Sequence, residues 1–315
     1  MQTSAFTPFK PLFLSLLILF LSGCGGGSSS SNVDTLPNQT PVPQPPAQRV
    51  AVADINFSDA TLQQCINDDT NGFVYADEFF ELNCNYYGID NLGGIEAFTN
   101  LTHLYLFANL IDNVTPLSEL TQLIFLNAGL NHIEDVSALS GLVKLEVLYL
   151  AQNTITDING LTNLHGLIQL DLSENNGITD ITALTNMTEL QFLLLNRNNV
   201  SDVTPLAGLT QLQTLSLYNN NVSDASPLTG LNQLVALVLN VNHISDVSSL
   251  AALTQLSELS LSYNEIETGV ELLISLDNPS LINLSGNDDI ACAELDLLVE
   301  RFGDGVVLMP ELCVL

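Results

Sequence analysis

Positive charge is what this chain has least of. Five Lys plus Arg stand against 35 Asp plus Glu, a formal net charge of −30 over 315 residues. Such a surface repels nucleic-acid phosphates and bare anionic bilayers, so nucleic acid is excluded as a partner. Long apolar runs are scarce as well. The most extended, Leu12 to Leu21, falls short of the roughly 20 residues a spanning helix needs. Only four histidines occur, and no nucleophile is paired with a nearby base in the pattern. No enzyme activity, resident metal or cofactor is therefore expected.

What is abundant is one phrase, Leu-x-Leu-x-x-Asn-x-Ile-x-Asp-Val-x-x-Leu-x-x-Leu-x-x-Leu. Its first leucine recurs at Leu82, Leu104, Leu126, Leu148, Leu170, Leu193, Leu215, Leu237, Leu259 and Ile282, a period of 22 with two intervals of 23. Self-similarity at this period marks a solenoid, in which units unable to bury an apolar face alone stack into one continuous core. The Leu-x-Leu alternation puts the leucines inward and the residues between them on the opposite face of a parallel strand. Outer segments such as Asp202 to Leu209 hold Pro and Gly, which oppose a regular helix. Short 3₁₀ turns are expected there. Ten parallel strands at about 4.8 Å spacing give an inner sheet roughly 45 Å long.

Two polar columns accompany the leucines. Asn109, Asn131, Asn153, Asn175, Asn198, Asn220, Asn242, Asn264 and Asn287 follow the strands, with Tyr87 in the first unit. A buried amide at each bend satisfies backbone groups of its own and the neighbouring unit. Asp135, Asp157, Asp180, Asp202, Asp224 and Asp246 are placed to cap the outer turns. A cation ladder on those carboxylates is the alternative. His132 and His243 hold equivalent positions five repeats apart, about 24 Å at strand spacing, too far to share a metal.

Residues 82–290 resemble the 22-residue class of leucine-rich repeats found in bacterial internalins and in a regulatory subunit of protein phosphatase 1. The resemblance implies an α/β repeat solenoid, a horseshoe with parallel concave strands and capped ends, that binds another protein on its concave face. Unlike the internalins, the repeats here are not followed by an immunoglobulin-like segment or a sorting signal, and host adhesion or invasion is an open alternative.

Register assigns the concave positions. Tyr86, His103, Tyr105, Phe107, Phe125, Tyr149, Phe192 and Tyr218 are candidate partner-binding residues, with Tyr263 at the far flank. Half of the aromatic residues beyond residue 24 project there. Aromatics are enriched in binding hot spots, so a protein or peptide partner is expected. A glycan stacked on the same rings is one competitor, and a purely structural face, its rings merely paired across strands, is another. Few charges share the surface: Glu81, Asp171, Glu174, Arg197 and Glu258.

The flanks carry other signals. Lys10, the apolar run and Leu21-Ser22-Gly23-Cys24 resemble a bacterial lipoprotein signal over residues 1–23, which implies lipidation of Cys24. Gly25 after the cysteine favours the outer membrane. A Gly/Ser/Pro-rich tether over 24–53 would hold the domain off the bilayer, with the membrane reached through the lipid alone. Residues 54–81 read as an N-terminal cap with a helix near Ser58 to Ile66, N-capped by Ser58. Within it, Asn67 to Glu78 fits part of a twelve-residue calcium loop, although Asn67 replaces the first Asp and the exit helix would collide with strand register. A polar turn is the preferred reading. Residues 291–315 form a C-terminal cap, with a helix over Glu294 to Phe302 and an apolar run over Val306 to Met309. Four cysteines besides Cys24 allow three pairings, and the solenoid keeps its ends apart. Cys65 with Cys84 and Cys292 with Cys313 is the expected pairing, each bridge fastening a cap.

Overall fold

The computed structural model describes residues 49–313 except Asn71. The lipidation site Cys24, the signal segment and the tether up to residue 48 lie outside the described residues.

Eleven parallel strands form one sheet in strictly sequential order. They are β1 (Glu81–Asn83), β2 (His103–Tyr105), β3 (Phe125–Asn127), β4 (Val147–Tyr149), β5 (Gln169–Asp171), β6 (Phe192–Leu194), β7 (Thr214–Ser216), β8 (Ala236–Val238), β9 (Glu258–Ser260), β10 (Leu281–Asn283) and β11 (Val307–Leu308). Each middle residue from Leu82 to Ile282 pairs with its counterpart one unit away. All of these are buried, so one inward leucine per strand anchors the core. The sheet exceeds the ten strands expected. β11 comes from the C-terminal cap and pairs with β10, Ile282 N donating to Val306 O at 2.8 Å and Leu284 N to Leu308 O at 2.8 Å. An edge strand that would expose unpaired backbone groups is thereby covered.

The outer segments are 3₁₀ turns of three to six residues, as their Pro and Gly content implies. Pro116, Pro205 and Pro227 occupy the first turn, where a missing N–H and a fixed φ cost nothing. The two units one residue longer than the rest take the insertion outside the strands. Asn176 enters the left-handed region at φ 61° in one, and Gly269 does so at φ 88° in the other. A Cβ on Gly269 would stand 2.4 Å from Ser248 N.

The asparagine column is buried throughout. Asn153 shows the pattern. Its Nδ2 donates to Ala128 O and to Leu150 O, both at 3.0 Å, and its Oδ1 accepts from Ile133 N at 2.9 Å. One amide thus ties its own bend to the unit before it. A second column was not foreseen. Tyr86, Ala108, Leu130, Gln152, Glu174, Arg197, Asn219, Val241 and Tyr263 all adopt positive φ, with Gly286 completing the row. Each directly precedes the asparagine position. The chain must turn sharply there to swing the amide inward, and most of these side chains tolerate a conformation that favours glycine or asparagine.

Both ends are closed. Helix α1 (Ala60–Asp68) starts one residue later than expected and is capped by Asp59, not Ser58. Asp59 Oδ1 accepts from Thr61 N at 2.6 Å and Thr61 Oγ1 at 2.7 Å, while Oδ2 accepts from Asp90 N at 2.8 Å. The same carboxylate therefore caps the helix and holds it to the first repeat. Burial alone would raise its pKa, but the bonds from Thr61, Asp90 and Asn91 prevail and hold it well below the usual carboxylate range. Cys65 of α1 is joined to Cys84, and Cys292 of α2 (Cys292–Phe302) to Cys313.

Two outcomes are expected. Asn153→Ala strands three buried backbone groups and is expected to cost about 3 kcal/mol or more, read by urea unfolding. Val241→Asn places at φ 57° the residue that unit seven already uses at Asn219, and is expected to stabilise by about 1 kcal/mol, read as a rise in Tm.

Candidate functional site

Three side-chain positions per unit reach the concave face, two on each strand and one just beyond it. His103 and Tyr105 lie on β2, Phe125 on β3, Tyr149 on β4 and Phe192 on β6. Phe107 and Tyr218 continue the alternation past β2 and β7. Tyr86 does not belong to this set: it stands in the left-handed row on the rim, 73% exposed, and Tyr263 is its counterpart at the other end, 65% exposed. Its inclusion among concave residues is corrected accordingly. The positive φ rotates the side chain out of the two-residue alternation.

The structure brings four of the eight candidates together in one ring cluster. Phe125 is the hub, with ring centroids 6.0 Å from His103, 4.7 Å from Tyr105 and 5.8 Å from Tyr149. Tyr86 meets Phe107 edge-on at 5.6 Å, bridging rim and face. Phe192 and Tyr218 stand apart from this cluster. Phe192 neighbours Gln169 and Thr214 in register, and Tyr218 lies under the Arg197 guanidinium, 5.9 Å from its ring centre.

A polar patch follows the rings on β5. Tyr149 Oη donates to Gln169 Oε1 at 2.6 Å. Asp171, flanked in register by Tyr149 and Leu194, accepts from Ser173 N at 2.9 Å through Oδ1. Burial pushes the Asp171 carboxyl above its usual pKa, against the Ser173 contacts, and burial with the Asp171 charge does the same for the Tyr149 hydroxyl. Sequence reasoning marked Asp171 only as one of few concave charges and passed over Ser173. The signal lay in the register, where Asn83, Asn127 and Asn283 occupy the position that Asp171 fills.

The remaining candidates are spoken for. Of the calcium-like loop, Asp68 accepts from Tyr87 Oη at 3.2 Å. Glu78 Oε2 accepts from Val74 N at 2.8 Å and Tyr75 N at 3.0 Å, and its Oε1 pairs with Arg49 at 2.9 Å. The residue that should clamp a cation is turned to the backbone. His243 pairs with Glu265 at 2.8 Å, and His103 Nδ1 lies 3.0 Å from Thr102 Oγ1. Among the described residues no three His, Cys, Asp or Glu side chains converge as metal ligands.

The aspartate column is structural. Each carboxylate accepts from the backbone N–H two residues on, at 2.7 Å for Asp135, 2.8 Å for Asp180 and 2.8 Å for Asp224. That donor is the first residue of the 3₁₀ turn, so the aspartates stand one position before the cap residue proper. The hydroxyl and N–H of Thr182 lower the pKa of Asp180, and Ser or Thr partners do so for Asp202, Asp224 and Asp246.

The leucine-rich repeat family, in its two-copy form, matches overlapping stretches from residues 121–163 to 210–252. An internalin (InlF) of Listeria monocytogenes superposes with a TM-score of 0.66 and 25% identity, covering 85% of this chain and 93% of its own. Internalin C2 of the same organism gives 0.54 and 29%, covering 84% and 98%. The ectodomain of the receptor kinase GASSHO1/SCHENGEN3 from Arabidopsis thaliana, solved in complex with Casparian strip integrity factor 2, gives 0.56 and 25%, covering 62% and 25%. No curated protein matches the chain. The repeats and the single open sheet define a leucine-rich repeat protein, a class of binding scaffolds that typically lack catalysis. Within that class the chain is internalin-like.

A pH series tests the aspartate column. A lowered folded pKa contributes stability that is fully present above the ordinary Asp value of about 3.9 and lost as pH falls through the folded value. Asp180→Asn keeps the backbone acceptor without the charge. Wild type is expected to melt higher than this variant at pH 7, with the gap closing as the pH falls below the ordinary Asp value of about 3.9.

Proposed function

We propose that the chain is a lipid-anchored envelope protein, displayed at the outer membrane, that recognises a protein or peptide through its concave aromatic face. One observation carries this reading: four rings on three adjacent strands form a connected, half-buried cluster on the face that leucine-rich repeat proteins commonly use for protein partners. Rings held in a fixed mutual geometry lose little side-chain entropy on binding, the condition under which aromatics act as hot spots. A glycan is the competing ligand. Sugar recognition uses a flat, open ring face, whereas Phe125 meets Tyr149 at 89° and Tyr105 at 37°, and these tilted packings support the protein reading. The plant ectodomain in its complex offers a parallel for a partner held by this fold.

Crosslinked capture from intact cells tests the proposal. A Tyr105→Ser, Phe107→Ser, Tyr149→Ser variant that retains the wild-type circular dichroism is expected to lose at least about 100-fold in affinity for captured partners, from hot-spot contributions of 2 kcal/mol or more. Equal recovery by both proteins would remove the concave site. Cys24→Ser is expected to release the protein from membranes into the soluble fraction; persistent anchoring would remove the lipid.

A further inference from the structure

We infer that Asp171 and Ser173 form a cation-recognising subsite at the middle of the concave face, filled by a Lys or Arg side chain of the protein partner. The inference rests on reading that face as a protein-binding surface and specifies what it binds.

The repeat supplies its own controls. In four strands the second concave position accepts a backbone N–H two residues on: Asn83 from Asn85 at 3.2 Å, Asn127 from Gly129 at 3.1 Å, Asn283 from Ser285 at 3.2 Å, and Asp171 from Ser173 at 2.9 Å. A neutral amide does this work in three units, so the fold does not require the negative charge in the fourth. The charge is also costly. It is partly withdrawn from water between Tyr149 and Leu194, and burial is the leading influence on it. Among the described residues the ion pairs are Arg49 with Asp77 and Glu78, and His243 with Glu265; Asp171 belongs to none.

The hydroxyl beside it is a second, independent anomaly. Ser173 is 8% exposed, and its Oγ makes no hydrogen bond. It lies close enough to the Asp171 carboxylate to help draw that group's pKa down, but without the alignment of a hydrogen bond, whereas the equivalent Ser285 Oγ donates to Asn283 Oδ1. A buried hydroxyl left without a partner is uncommon and calls for a ligand or water. The two units before it carry small residues, Gly129 and Ala151, in the row of Ser173. An ammonium or guanidinium entering there would meet the carboxylate's free Oδ2, the lone pairs of Ser173 Oγ and the neighbouring Tyr149 ring, all complementary to a cation. A neutral or acidic side chain would leave the carboxylate desolvated and unpaired. The net charge of −30 attracts a basic partner over longer range and gives the same sign of selection.

A peptide-display experiment decides the matter. A phage-displayed random 12-residue library is panned on the full chain, and selected peptides are synthesised with one tryptophan, whose emission is unobscured because the chain has none. Peptides sensitive to Tyr105→Ser are expected to share a Lys or Arg at one position. Replacing that residue by norleucine is expected to weaken binding about tenfold, as is Asp171→Asn, and combining the two is expected to add nothing further. Asp171→Asn is also expected to raise Tm at pH 7, because the folded pKa is raised and the ionised form is the disfavoured one. Selected peptides without a basic position, or with affinity unchanged by Asp171→Asn, would overturn the subsite and leave the protein-binding face standing. A fall in Tm for Asp171→Asn would assign the charge to the fold and overturn it as well. Panning that yields no peptide sensitive to Tyr105→Ser would remove both readings.

Discussion

The structure depends on one hydrogen-bonding problem solved nine times. Every unit must bend sharply after a three-residue strand, and a bend inside a stacked core leaves backbone groups with no ladder partner. The asparagine side chain resolves this because an amide carries donors and an acceptor on one short stem. It accepts a backbone N–H from the unit before and donates to carbonyls of both units. Leucine burial supplies most of the driving force, but it is non-directional and does not fix the turn. The asparagines set the angle, and that angle puts the strands side by side with their outward side chains on one face.

That solution has a conformational cost, visible in the row of left-handed residues before each asparagine. Ten successive units place a residue there, and only Gly286 is a glycine. Residues such as Val241 persist because the amide network on both sides over-determines the backbone. The same turn gives the rim its chemistry. A side chain in the left-handed position leaves the strand alternation and points out along the edge, which is why Tyr86 and Tyr263 are the most exposed tyrosines of the array. Rim and concave face are two surfaces with separate access to a partner, joined at one end by the Tyr86 and Phe107 contact.

Periodic features were legible in the sequence because each is dictated by a repeated local requirement. Leu82 to Ile282 mark the strands, the asparagines mark the bends, and prolines at the first outer turn mark the 3₁₀ segments. Features that occur once were harder to read. The eleventh strand has no repeat letters, since Val307 and Leu308 answer the open edge of β10 and no periodic rule. Asp59 displaced Ser58 as the helix cap because it also receives Asp90 and Asn91, contacts 31 and 32 residues away that a local pattern cannot register. The concave aromatics were found by register, yet the grouping around Phe125 and the separation of Phe192 from it required ring positions.

A repeat also allows each position to be judged against its own column, and this divides structural from functional residues more sharply than exposure does. Asn153 resembles eight counterparts in type, burial and bonds, so its presence is accounted for by stacking alone. The outer aspartates are likewise alike from Asp135 to Asp246, each making to the next turn the bond that Asn91 and Asn113 make in the first two units. Asp171 differs. It makes the bond that Asn83, Asn127 and Asn283 make in the same column, but with a charge those units do without, in surroundings that disfavour that charge. Physical economy within the chain would have placed asparagine there, as it did at Asn83, Asn127 and Asn283. What the fold leaves unexplained at β5 is therefore confined to one carboxylate and one unbonded hydroxyl, next to the only connected ring cluster among the described concave strands. Selection for a partner acts on such a remainder, and the direction it points is toward a basic side chain flanked by apolar ones.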